Sequence, residues 1–439
     1  MQPVRFRWAG VAVLLFVLLL LAVGPLPAAP GLTIVGQAPA DLAQARPADL
    51  RAGAAVADMT PPQSMWTVRM IGWDDPNQLP TGVHDPLLAK VLVLDNGQVR
   101  LALVTIDLLM VSMELRREVV ARLPAAAGIS PDRLLICASH THSAPGGLLS
   151  SDLGQQLLGT YQPAMVGYMA AKIAGAVGAA AAGLAPAKVG WASGQVADIA
   201  FNRRSWAGNT LVNSTVATLR VDTAAGKPLA VLVNIGVHPV YVGEENRLLS
   251  ADFVGYLVRQ VERTRGGVAM FANDGQGDQD PKLGTNGKMG AAPGYAYAKR
   301  FGERLGREAA RIAGGAVMRR QVALGSILGS FETPPPTLPI GPTELPLMAF
   351  RVGDVLLLGI PGEPTAELAL EMRRQAYALG FRMPLVLGLA NDMVAYILQK
   401  PDFEKGGYEA ETSFYGPDLG PLLVRATGRL AAALHPVAD

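Results

Sequence analysis

The chain is short of several residue types, and each shortage narrows its chemistry. Its 439 residues include one cysteine, Cys137, so no internal disulfide and no thiolate cluster can form. Any metal must therefore be held by nitrogen and oxygen. Charged residues make up only 17%, with 38 basic against 36 acidic, which leaves no charge field of the kind that holds nucleic acid. Aromatic residues stand at 6%, histidines number five, and no repeat of fixed period is present. What abounds is apolar: half of the residues are hydrophobic, enough to bury a large core and to exclude general disorder. That length and composition point to one large α/β domain or two intimate ones, acting on small, roughly neutral or amphiphilic substrates.

The first thirty residues read as an export signal, with Arg5 and Arg7 ahead of an unbroken apolar run over 8–23 and a small, proline-rich stretch over 24–30. The run is short for a spanning helix of about 20 residues, and its proline-rich end is a poor cleavage site, so signal peptide and uncleaved anchor both stay open. Either way the protein is expected outside the cytoplasm: periplasmic, secreted or anchored to the membrane. Residues 31–52 read as an Ala/Pro-rich tether, and 53–439 as a single catalytic domain. Apolar runs at 91–94, 101–106, 134–138, 229–235, 268–272, 355–360 and 385–389 are strand-like, several of them apolar on both faces. Helical patterns occupy 114–123, 164–182, 252–264, 295–313, 364–379 and 419–434, and two alternating stretches, 188–199 and 211–221, read as added antiparallel strands. This predicts an α/β fold with a mixed, largely buried central sheet flanked by helices, and a site at the carboxyl ends of its strands.

Polar residues gather at those ends. The run 134–138 leads into Ser139-His140-Thr141-His142-Ser143, 229–235 into His238, 268–272 into Asn273-Asp274 and then Gly277-Asp278, and 355–360 into Pro361-Gly362-Glu363. A fifth, 385–389, leads to Asn391, with Tyr396 and Tyr408 following. Two histidines and a carboxylate match the ligands of a catalytic zinc site with an open position for water, and a His-x-His pair lets one ring bind metal while the other faces substrate. Elsewhere, His84 is expected to be a hydrogen-bonded structural residue and His435 a surface one. Asp107 reads either as a partner orienting a histidine or as a helix cap, and Gly146-Gly147 either as a close approach to ligand or as a plain turn.

At these residues the sequence resembles the neutral, non-lysosomal ceramidases. Residues 139–147, SHTHSAPGG, are similar to that family's T-H-T-H-S-G-P-G-G, and Pro361-Gly362-Glu363-Pro364-Thr365 to its P-G-E-F-T. Ser250 and Asp252 follow His238 at the family's interval, and Gly388-Leu389-Ala390-Asn391, Tyr396, Tyr408-Glu409 and Tyr415-Gly416-Pro417 follow its G-L-x-N...Y...Y-E...Y-G-P. The resemblance runs from about Ala54 to Pro417. It implies one zinc ion held by His140, His238, Glu363 and Tyr396, with His142 and Tyr408 beside the reacting carbonyl and Arg203 as the active-site arginine. It implies hydrolysis of the N-acyl amide of ceramide or a related lipid by metal-activated water, with membrane-surface association, and a nearby cation favouring the ionised form of Tyr396.

Two departures stand out. Where the family has G-D-x-S-P, with the serine in the active site, this chain has Gly277-Asp278-Gln279-Asp280-Pro281, so Asp280 occupies a catalytic position with a charge the serine lacks. The sequence following Pro417 is short, so the family's carboxyl-terminal β-sandwich domain is not expected in this chain. Two other readings therefore stay in view: a zinc hydrolase of another exported amide or ester, and a non-catalytic, envelope-tethered binding protein of the same fold.

Overall fold

The computed structural model describes residues 31–35, 46–72, 77–282, 294–337 and 342–435; the export signal lies outside them. Every apolar run read as strand-like, from 91–94 to 385–389, lies in a strand, and every helical pattern in a helix, with ends shifted by a few residues. The one sizeable difference is at 211–221, where the strand is Thr215–Thr223: Asn209 and Asn213 turn the preceding backbone back on itself by accepting from Leu211 N and Thr215 N. Inside the stretch read as a tether, Leu32–Val35 and Ala48–Asp49 are strands. Leu32 is buried, and that burial holds its short apolar run on a sheet edge.

Most of the longer strands are divided between two sheets. One has eight strands, in the order 268–273, 228–235, 215–223, 185–195, 51–58, 88–95, 100–106, 134–138; the other has five, in the order 32–35, 324–332, 344–352, 355–359, 383–387. Three neighbouring pairs are parallel: Pro228–Ile235 with Val268–Asn273, Arg100–Ile106 with Leu134–Ala138, and Val355–Gly359 with Met383–Leu387. The other pairs within these two sheets are antiparallel, as a mixed α/β fold requires.

The two sheets face each other across a shared core to which both contribute, Leu92, Leu103 and Leu135 meeting Phe350, Leu357 and Leu385. This explains why several strands are apolar on both faces. Helices cover the outer faces: Met113–Ala121 and Pro163–Ala182 on one half of the larger sheet, Asp252–Arg265 and Gly294–Gly314 on the other, Ala366–Ala378 and Leu419–Ala433 on the smaller. Pro163–Ala182 is long and apolar enough to cross a membrane by length and composition, but its apolar face is spent on the first of these cores.

The larger sheet curls until its two edge strands approach. Asn273 Nδ2, at the end of one edge, donates to Ser139 O at the end of the other (2.7 Å). Residues 388–391, which follow the smaller sheet's outer strand, stitch the gap: Gly388 N donates to Asn273 O, Asn391 N to Ile136 O, and Ala138 N to Leu389 O. Leu389 and Asn391 take left-handed backbone to do so (φ 56° and 65°).

The neighbouring Asp392 is buried; its Oδ1 accepts from Met393 N, and its Oδ2 has no hydrogen-bond partner. Burial pushes its carboxyl up to about 7, with Met393 N–H opposing and Glu114 adding to the rise. The folded protein thus takes up an extra proton between about pH 4 and 7, and stability falls as pH rises through that window. Asp392→Asn is expected to be more stable than the parent at pH 8 by up to about 4 kcal/mol, less the cost of an unpaired amide, with the gap closing toward pH 4. Urea denaturation across pH 4–8 checks this; a gap independent of pH would refute the assignment.

Candidate active site

His140 follows its strand with a left-handed backbone (φ 72°), a strained conformation for a non-glycine residue of the kind found where surrounding structure dictates a side chain's aim. Its Nδ1 donates to Leu109 O (2.7 Å); that of His238 donates to Gln276 O (2.8 Å). A carbonyl can only accept, so each ring carries its proton on Nδ1 and turns the Nε2 lone pair inward. Both lone pairs meet one carboxylate oxygen, Glu363 Oε2, at 3.0 Å from His140 and 3.1 Å from His238, and the His140 approach lacks hydrogen-bond geometry. All three side chains are buried. With both Nδ1 protons committed to carbonyls, this convergence is held together by positive charge among the three groups, either a proton on an Nε2 or a cation bound between them.

His142 completes the group, since a nitrogen of each of the three histidines lies within 4.8 Å of the others. Its ring packs edge-on to that of His140 at 5.0 Å. Gly72 makes this possible: at φ 113° its backbone lies where a Cβ would be 2.3 Å from His142 Nδ1. Burial, reinforced by His140 and His238, holds the His142 imidazole well below its usual range, so it is neutral at physiological pH. For Glu363, burial alone would raise the carboxyl, but His140 and His238 reverse this and hold it well below the carboxylate range.

Glu363 and Tyr396 sit side by side in a two-stranded parallel ladder, Glu363–Pro364 with Tyr396–Ile397. The Tyr396 ring stacks beside His238 (6.4 Å between centroids) and meets that of Tyr408 edge-on (5.6 Å). Arg203 lies over both phenols, 5.2 and 5.6 Å from the ring centres. Burial nevertheless pushes the Tyr396 hydroxyl well above its usual range, and Arg203 only partly offsets it. The expected ionised form is therefore not reached through Arg203 alone, because desolvation of a phenolate outweighs one neighbouring guanidinium.

Arg203 is held on three sides: Nε donates to Glu409 Oε1 (2.6 Å), Nη1 to Asp280 Oδ1 (3.3 Å) and Nη2 to Gly277 O (2.8 Å). Fully buried Arg204 donates to the other oxygen of Glu409 (2.7 Å) and to the carbonyls of Asp402 and Gly406. Glu409 and Arg204 are thus site residues that residue-type reasoning missed, although the adjacent Arg203-Arg204 pair was a signal, since two neighbouring cations need a shared carboxylate when buried. His140, His142, His238, Glu363, Tyr396, Arg203, Tyr408 and Asp280 are all brought together.

The residues set aside fall elsewhere. His84 hydrogen-bonds Asp85 and stacks on Tyr295 (3.7 Å between centroids), and His435 is exposed. Asp107 fills neither expected role: its Oδ2 accepts from Leu88 N, while the following helix is capped by Ser112, because the chain runs six residues past the strand before it turns helical. Gly146 serves a close approach, but to backbone, since a Cβ there would lie 2.1 Å from Leu158 O.

Residues 50–292, more than half of the chain, match the family model described as neutral/alkaline non-lysosomal ceramidase, N-terminal. The chain is 24% identical to the neutral ceramidase of Pseudomonas aeruginosa, over 80% of this chain and 67% of that protein. It is 23% identical to the neutral ceramidase of Mycobacterium tuberculosis, over 88% and 77%. The crystal structure of neutral ceramidase from Pseudomonas aeruginosa superposes with a TM-score of 0.79 at 23% identity, covering 89% of this chain and 76% of that one, so the two share a fold. The histidine and carboxylate cluster at the strand ends lies on that fold, and the chain belongs to the neutral/alkaline non-lysosomal ceramidase family.

Proposed function

We propose that this amide-bond hydrolase holds one zinc ion through His140, His238, Glu363 and Tyr396 and cleaves the N-acyl amide of ceramide or a related N-acyl lipid. The observation that carries the reading is the convergence of two Nε2 lone pairs on one carboxylate oxygen in a buried site, with both Nδ1 protons tied to carbonyls. Nitrogen and oxygen donors of this kind suit zinc. When bound, such an ion supplies Lewis acidity, polarising a carbonyl and acidifying water.

The chain's own groups then divide the remaining work. The Leu109 and Gln276 carbonyls lock the two histidine rings, so no reorientation is needed when the site is filled. Neutral His142, beside the ligand group, is placed to take a proton at an imidazole nitrogen or to donate one to a developing oxyanion. Exposed Tyr408 stands over buried Tyr396 at the mouth and can present its hydroxyl to the substrate carbonyl or to the leaving amine. Arg203 positions the two phenols. In this reading residues 53–439 act as one catalytic unit outside the cytoplasm, delivered by the apolar amino-terminal segment.

The test is metal content by mass spectrometry, together with hydrolysis of a fluorogenic N-acyl sphingosine, on the purified chain. About one equivalent of zinc, with release of both fatty acid and amine, is the expected result. Zinc with no cleavage would overturn the substrate assignment, and a metal-free, inactive protein that does not take up added zinc would overturn the metal-based reading.

A further inference from the structure

Asp280 stands where the resembling family's motif has a serine, and its surroundings show what a carboxylate does there. It lies in the short strand Gln279–Pro281, opposite Phe201 of Ala200–Asn202, which brings it to Arg203 just past the strand end. Its Oδ1 accepts from Arg203 Nη1 (3.3 Å) and is 3.9 Å from His238 Nδ1. Its Oδ2 is buried and finds no protein donor. Three of the five N–H donors of Arg203 go to Asp280, Glu409 and Gly277 O, and Tyr396 draws on the same guanidinium, so its charge is already shared before any anion arrives.

The charge balance follows. Arg203 is shared by Asp280 and Glu409, and Glu409 also pairs with Arg204, so Asp280 adds one negative charge beside Arg203 that a serine at 280 would not, whether or not an ion occupies the histidine group. The side chains are nearly shut off from water, so the extra charge is weakly screened. At about 7 Å and an effective dielectric near 20, a carboxylate brought in by a substrate would be disfavoured by roughly tenfold or more. An ammonium gains by a similar factor, and a hydroxyl or ammonium also supplies the donor that Oδ2 lacks.

We propose that Asp280 is a specificity-determining residue that selects N-acyl compounds whose amine portion carries an ammonium or hydroxyl over those whose amine portion carries a carboxylate. The proposal rests on the amide-hydrolase reading but not on ceramide as substrate, and it is an instance of specificity by repulsion.

The test compares three compounds with one acyl chain, N-dodecanoyl ethanolamine, N-dodecanoyl ethylenediamine and N-dodecanoyl glycine, on the metal-loaded parent, Asp280→Asn and Asp280→Ser. Both kcat/KM and the Kd by calorimetry are read, and thermal melting confirms that each variant folds; Asp280→Asn keeps the side chain's shape and its acceptor for Arg203. The parent is expected to favour the ethylenediamine over the glycine compound by about a hundredfold or more, and both variants to cut that ratio by a similar factor, mainly through KM. A ratio that survives in folded Asp280→Asn would overturn the proposal. If no compound is hydrolysed yet the Kd ratio still depends on Asp280, the hydrolase reading fails and the charge selection stands.

Discussion

Replacing Glu363 by alanine is expected to abolish zinc retention and to lower kcat/KM for an N-acyl amide by about 10³-fold or more. An ion's charge stabilisation of the transition state is worth several kcal/mol, and each 1.36 kcal/mol is a factor of ten. One of its oxygens is shared by His140 and His238 at 3.0 and 3.1 Å, so on the proposed reading its loss would remove a ligand and also the anion that offsets the ion's charge. Dialysis against a chromophoric chelator reads the metal and a fluorogenic substrate reads the rate. Full activity with full zinc in folded Glu363→Ala would remove Glu363 from the site's chemistry.

The largest stability effect is expected at Arg373. It makes a charge-assisted hydrogen bond to Asp274, with both side chains buried, and a second to Asn234 Oδ1, while Asp274 also accepts from Asn213 (2.7 Å). Burial raises the Asp274 carboxyl, and Arg373 is the chief influence opposing the rise. Arg373→Met leaves that carboxylate unpaired and is expected to cost about 3–5 kcal/mol at pH 8. With Arg373 gone, the folded-state value of Asp274 rises further, so the folded form binds a proton more readily than the unfolded chain, and the deficit shrinks as pH falls. Arg373→Met/Asp274→Leu should recover much of the loss, because an apolar pair replaces a broken ionic one. Urea denaturation at pH 5 and 8 checks all three; a deficit that is equal at both pH values would show that lost packing, not the stranded charge, is responsible.

Both effects arise where separate elements meet, and there the limits of the sequence are clearest. The periodicities over 252–265 and 294–314 mark helices because a helix repeats locally and its apolar stripe is written in neighbouring residues. The strands were legible for the same reason, and so was the concentration of His140, His238, Glu363 and Tyr396 just beyond strand ends, where a polar residue after an apolar run signals exposure to a cleft. Asp107 shows the opposite case: a carboxylate at a strand end has the same local signature whether it binds a histidine or, as here, Leu88 N across the sheet.

The amino-acid sequence by itself determined the elements, the nitrogen and oxygen character of the site, and the family motifs that join them, because each is written in residue type and short spacing. Only the tertiary structure decided that the larger sheet curls to bring Ser139 beside Asn273, that Leu109 and Gln276 carbonyls set the histidine tautomers, and that Glu409 and Asp280 consume Arg203. The physical reason is common to all three. Every residue carries a carbonyl and every carboxylate can seek any cation, so which ones meet depends on long-range packing of the two sheets, and nothing in the local sequence around either partner specifies it.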